Sequence, residues 1–265
     1  MMFMVKTFSR EMLKVDIKKE SLALHKNYKG KISVVPTVPL KTSYDLSLAY
    51  SPGVAEPCKA IHQDQEMVYT YTTKQNMVAV ITDGSAVLGL GNIGPYAALP
   101  VMEGKAALFK AFADVDAFPI CLNTQDKDEI IRICETLEPS FGGINLEDIA
   151  APDCVYIQEA LDKRLNIPVF HDDQDGTAIV VLAALINSLK LTKKPLDTIQ
   201  VVLSGMGAAG SAIAKLLTHY GVKIIYGYDQ SGPLNSKGVS SYNPLIQSLF
   251  NTNILKDKPA QTLEE

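Results

Sequence analysis

The stretch Val169-Phe170-His171-Asp172-Asp173-Gln174-Asp175-Gly176-Thr177 closes an apolar run with three carboxylates in four positions. Like charges this close repel, and their pKa values are driven apart. A divalent cation is the simplest partner for such a cluster. A second acidic pair, Glu147-Asp148, ends the run Gly142-Gly143-Ile144-Asn145-Leu146. Acids at the ends of two strands suggest one oxygen-lined metal site. Asp83, Glu147, Asp148, Asp172 and Asp173 all fall just past expected strands or apolar runs, where ligands collect in parallel α/β sheets. Taken singly, Asp172 or Asp175 reads as a helix cap, because Thr177 opens a helix. Taken together, the acids favour a cation.

A second chemistry lies further on. Gly205-x-Gly207-x-x-Gly210 follows one expected strand and opens a helix, and the next strand ends at Asp229. That acid stands about 20 residues past the last glycine, where a ribose-binding carboxylate belongs. The glycines let backbone approach a pyrophosphate, and the helix start supplies N–H donors. Asp229 favours NAD over NADP, since a carboxylate repels a 2′-phosphate. The alternative is an α/β turn with incidental glycines. Gly89-Leu90-Gly91-Asn92-Ile93-Gly94 spells the same pattern, but Pro95 and Pro100 are expected to disturb a helix directly after it. It reads as a glycine-rich substrate loop. Lys105 sits beside Gly104 at the expected start of a helix. Desolvation and a nearby cation would both lower its pKa toward useful base strength. Tyr50 lies in a Pro-Gly turn, where a phenol could point into a cleft. Out of context, Lys105 is a solvated helix lysine and Tyr50 a packing tyrosine.

The elements that must hold these residues alternate. Strands are expected at 77–82, 117–122, 167–170, 199–203 and 223–228. Helices are expected at 103–113, 127–137 with Asp126 as cap, 155–165, 177–191 and 208–220. Residues 1–60 read as loop-rich, punctuated by Pro36, Pro39, Pro52 and Pro57. This alternation predicts an α/β fold: an N-terminal parallel α/β substrate and metal domain over 1–165, then a Rossmann-type nucleotide-binding domain, incomplete, over 166–265. An apolar fraction of 47% supports a real core, and the net charge of −4 disfavours nucleic acid as a partner. No long apolar run argues for a membrane span. Cys58, Cys121, Cys134 and Cys154 form no CxxC pair and read as free thiols of a reducing, cytoplasmic compartment. The N-terminus lacks the apolar core of a secretion signal. Lys6, Arg10 and Lys14 leave an organelle-targeting alternative, which Glu11 and Asp16 oppose.

These residues together resemble the malic enzymes, in particular the short bacterial-type form. The matching stretches are SYDLSLAYSPGVAEPC, AVITDGSAVLGLGNIGPYAALPVMEGKAALFKAFADVDAFPICL, FGGINLEDIAAPDC, IPVFHDDQDGTAIVVLAAL and VVLSGMGAAGSAIAKLL. The resemblance implies oxidative decarboxylation of malate to pyruvate with NAD or NADP and Mg²⁺ or Mn²⁺. It implies Tyr50 as general acid, Lys105 as general base, and Glu147, Asp148 and Asp173 as metal ligands. Asp172 then stands beside the ligands rather than among them. A homo-oligomer, by default a dimer, is also implied. Ala86 stands where the large eukaryotic-type enzymes have arginine, which suits the short form. Asp175 departs from the family, which commonly has His or Gln there. The tail after Phe250 turns polar where further nucleotide-domain strands are due, and the family's later asparagines, which hold malate and nicotinamide, have no counterpart. Two alternatives follow: a remnant that binds metal or part of a nucleotide without turnover, and metal-dependent oxaloacetate decarboxylation without redox.

Overall fold

The computed structural model describes residues 16–257. The targeting alternative at Lys6, Arg10, Glu11 and Lys14 and the last residues of the tail lie outside that range. Four helices come first: α1 (Ile17–Tyr28), α2 (Ser43–Ala49), α3 (Ala55–Gln63) and α4 (Val68–Tyr71). This corrects the loop-rich reading of 1–60. None of these helices has a buried residue, so no apolar stripe announces them. Local caps start two of them: Asp16 accepts from Lys19 N, and Thr42 and Asp45 form a capping box.

The rest alternates as expected. It runs β1 (Met77–Thr82), α5 (Gly94–Ala113), β2 (Asp116–Cys121), α6 (Lys127–Leu137), β3 (Gly143–Leu146), α7 (Asp153–Arg164), β4 (Val169–His171), α8 (Thr177–Thr192), β5 (Gln200–Ser204), α9 (Ala208–Tyr220), β6 (Ile224–Asp229), β7 (Gly232–Pro233) and α10 (Pro244–Asn251). Strands β1 to β4 form one parallel sheet in the order β2-β1-β3-β4. The crevice between β1 and β3, where the order reverses, is the place such sheets offer a ligand. The α/β class is therefore observed. Because β4 hydrogen-bonds to β3, the first sheet runs past the expected division at 165/166 and ends at His171.

Two cores result. Ala79, Ile81, Ile131, Ile144, Leu146 and Leu161 lie in the first. Ile213, Leu217, Ile225, Leu249 and Leu255 lie in the second, around β5-β6-β7. Leu255 bridges in parallel to Ile225, and Lys256 N donates to Ile225 O at 2.9 Å. The stretch read from the sequence as a polar tail thus places one buried leucine on the sheet. Helix α5 starts at Gly94, well before the expected residue 103. Pro95 is accepted in its first turn, where no N–H is needed, and the helix continues through Pro100. Asp172–Thr192 is long and apolar enough, by length and composition, to cross a membrane, with 6% of its apolar window buried. Its longest uninterrupted apolar run, 178–186, is far shorter than a span. Cys134 and Cys154 are buried free thiols whose pKa burial pushes up to about 12.

Candidate active site

Strand ends and one helix assemble the site. Lys105 lies within α5, not at its start. Its Nζ reaches Asp172 Oδ2 at 2.7 Å and Glu147 Oε1 at 3.1 Å. Glu147 follows β3 and Asp172 follows β4, so the ammonium ties two neighbouring strand ends. Asn145 Nδ2 donates to Glu147 Oε2 at 2.9 Å. Burial drives Glu147 up to about 7, although Asn145 and Lys105 both oppose that shift. Asp148, with φ of 53°, turns the chain back, and its backbone O accepts from Ala86 N at 2.9 Å. Burial, and then the charge of Asp173, drives Asp148 up to about 6.

Lys105 departs from expectation. Burial disfavours its charge, but the hydrogen bond to Asp172 and the charge of Glu147 outweigh burial and hold it above the ordinary lysine range. Two carboxylates distant in sequence meet the amine directly, which desolvation alone does not anticipate. Tyr50 lies apart from this cluster: among the described residues, none of its side-chain contacts joins Lys105 or the acids. It caps α2 and the residue is 74% exposed. Asp83 is buried and its Oδ1 accepts from Ser85 N at 2.9 Å, which fixes its own turn.

Among the described residues, no three His, Cys, Asp or Glu side chains stand together as a ready-made metal cage. Lys105 fills the role of counter-cation instead. The donor set nevertheless suits a hard divalent ion: every candidate is a carboxylate oxygen. Two of these acids are buried and held above their usual range, as expected of groups whose charge is only partly compensated.

The glycine loop at 84–94 lies beside this cluster. Ile93 N and Gly94 N both donate to Gly84 O at 3.1 Å. A Cβ on Gly84 would lie 2.4 Å from Gly94 O, so only glycine closes the loop. Ala150 N donates to Ser85 Oγ at 2.8 Å, which joins the loop to the segment after Asp148.

The second glycine pattern has the context a dinucleotide needs. It follows β5, opens α9, and is followed by β6. Gly205 has φ of 101°, and Gly205 N donates to Tyr228 O at 2.8 Å. A Cβ on Gly210 would stand 2.0 Å from Gly205 O. No side chain caps the start of α9 at Gly207, so its first N–H groups are available to an anion. Asp229 ends β6 as expected, and its Oδ1 accepts from Ser231 N at 2.7 Å. Gly210→Ala is expected to weaken NADH binding at least about tenfold, because backbone cannot yield as a side-chain tip would. Fluorescence titration checks this, and unchanged affinity would remove the turn from the nucleotide site.

Sequence reading missed four polar residues near these strand ends. Asn145 could have been found from its place two residues before Glu147, on the same strand face. Gln158 shares the α7 stripe of Cys154, Val155 and Leu161, where a polar side chain needs a reason. Gln174 is 6% exposed. His171 is fully buried with neither ring nitrogen hydrogen-bonded, and burial pushes its pKa down.

Comparison with known proteins supplies the family. The family description "Malic enzyme, N-terminal domain" matches residues 29–162, and "Malic enzyme, NAD binding domain" matches 174–231. The chain belongs to the malic enzyme family. It is 62% identical over 220 residues to the bifunctional malic/malolactic enzyme of Bacillus subtilis, covering 83% of this chain and 54% of that protein. It is 56% identical over 194 residues to the NADP-dependent malic enzyme of Haemophilus influenzae, covering 73% and 26%. The crystal structure of the NAD-dependent malic enzyme of Thermotoga maritima matches with a TM-score of 0.87 and 51% identity, covering 94% of this chain and 65% of that one. The chain thus spans about half the length of the first of these relatives, and less of the second.

Proposed function

We propose that this chain serves the metal-dependent oxidative decarboxylation of malate to pyruvate and CO₂ with reduction of NAD(P). The observation that carries this reading is Lys105 held between Glu147 and Asp172 at the carboxyl ends of β3 and β4. Glu147, Asp148 and Asp173 would hold Mg²⁺ or Mn²⁺. Bound there, the ion would supply Lewis-acid polarisation of the substrate oxygens and the nicotinamide a hydride acceptor. A cation held by Glu147 would remove one of the two charges that raise Lys105 and add a repelling one, which would bring its amine toward use as a base while Asp172 keeps it oriented. Lys105 then takes the hydroxyl proton as hydride leaves carbon 2. The β-keto acid loses CO₂, and Tyr50 is assigned to return a proton to carbon 3. The Tyr50 role rests on its motif. Gly205, Gly207 and Gly210 would cradle the pyrophosphate, with Asp229 on the ribose, which favours NAD. A homodimer is assigned from the family resemblance alone, and the free thiols suit a cytoplasmic setting.

A second reading has its own support. Lys105 and all three proposed metal ligands border the first sheet, so oxaloacetate decarboxylation needs nothing from the nucleotide unit. One assay set separates the readings. Malate-dependent NADH formation with Mn²⁺ is expected. Pyruvate from oxaloacetate without NADH from malate would favour the second reading. Neither activity, with Mn²⁺ or nucleotide still bound, would mark a binding remnant.

A further inference from the structure

Gln158 makes two side-chain hydrogen bonds, and both go to the turn that carries Asp172 and Asp173. Its Nε2 donates to Asp175 Oδ2, and its Oε1 accepts from Gln174 Nε2 at 2.9 Å. One amide from α7 therefore holds two successive residues of the turn 172–176. No side chain caps this turn at His171 or α8 at Gly176. The turn also carries three carboxylates that repel one another. Gly176 leaves it little slack, since a Cβ there would lie 2.4 Å from Asp172 Oδ1.

We infer that Gln158 is a positioning residue that clamps the Asp172–Gly176 turn and so sets the metal-binding carboxylate. It also gives Asp175, which departs from the family pattern, a partner of its own. The metal part of this inference rests on the function proposed above; the clamp itself does not. Residues that orient metal ligands typically change affinity by about 10–100-fold when altered.

The test reverses the polarity of the clamp without changing its size. Gln158→Glu keeps an acceptor for Gln174 but sets a carboxylate against Asp175. Adding Asp175→Asn supplies an amide that donates back, with the parent's net charge restored. Two quantities are read: the Mn²⁺ dissociation constant, from the electron paramagnetic resonance of free ion, and amide hydrogen exchange of residues 172–177 without metal. Gln158→Glu is expected to weaken Mn²⁺ at least about tenfold and to speed exchange, and the double variant to return both to within about threefold of the parent. Added negative charge alone would tighten Mn²⁺, so weakening cannot be a bulk-charge effect. Unchanged exchange in Gln158→Glu, or no recovery in the double variant, overturns the clamp. If the parent binds no Mn²⁺, the metal reading fails and exchange alone decides the clamp. If Gln158→Glu does not fold, Gln158→Met removes both hydrogen bonds without adding charge, and faster exchange is again expected; parental exchange overturns the clamp.

Discussion

Lys105→Met is expected to cost the metal-free protein about 2–4 kcal/mol at about pH 8, while Mn²⁺ binds the variant more tightly than the parent. The ammonium is 2.7 Å from Asp172 and 3.1 Å from Glu147. Removing one partner of a buried ion pair costs about 3–5 kcal/mol, because the other charge is left uncompensated. Lys105 retains 21% and Asp172 39% side-chain exposure, so only the Glu147 contact is well buried and water takes up part of that loss. Glu147, already raised by burial, also takes up a proton and caps the cost. A cation would meet Glu147, the one proposed ligand that Lys105 touches, without competition from the amine. Metal affinity and chemistry are thereby split: tighter Mn²⁺, no base. Urea unfolding and Mn²⁺ titration read the two arms. Equal stability and equal affinity in the variant would show that the contact with Glu147 and Asp172 carries little energy.

The metal-free protein is expected to lose stability as pH rises from about 4.5 to about 7, and a divalent cation to remove most of that loss. Burial raises Glu147 from 4.5 to about 7, and burial with Asp173 raises Asp148 from 3.8 to about 6. A raised acid binds its proton more tightly in the folded state than in the unfolded state. Below its unfolded pKa it is protonated in both, and its contribution is fully present. As pH climbs, the unfolded chain ionises first, and stability drains until the folded pKa is passed. For Glu147 alone this is about 3 kcal/mol; Asp148 adds to it over a window that closes near 6. The raise on Lys105 starts from 10.5 and acts above this range. Melting temperatures across pH, with and without Mn²⁺, measure the effect. Glu147→Gln should lose the larger share of the slope. Parallel curves with and without Mn²⁺ would sink the argument.

The strands and amphipathic helices were legible because their periods reflect burial. Met77–Thr82, Lys127–Leu137 and Ala208–Tyr220 fall where the sequence predicts them. The first three helices were hidden because they bury nothing, leaving caps to mark two of them and nothing to mark α3. Acids past strand ends located the candidate site, since that placement depends only on sheet topology. Their division of labour was less legible. The contacts of Asp172 with Lys105, and of Asp175 with Gln158, depend on which way one short turn faces. No spacing rule encodes that. The charge state of Lys105 was misjudged for the same reason: its sign turns on two partners distant in sequence.

Strand β5 has a consequence for the chain as a molecule in solution. Among the described residues it pairs with β6 alone, so one row of its backbone N–H and C=O groups has no strand opposite it. Val202, in its middle, is 44% exposed. A bare, apolar strand edge is a template for whatever extended peptide arrives first. An extended polypeptide pairing there would lengthen the sheet; left uncovered under crowding, the same edge invites clumping.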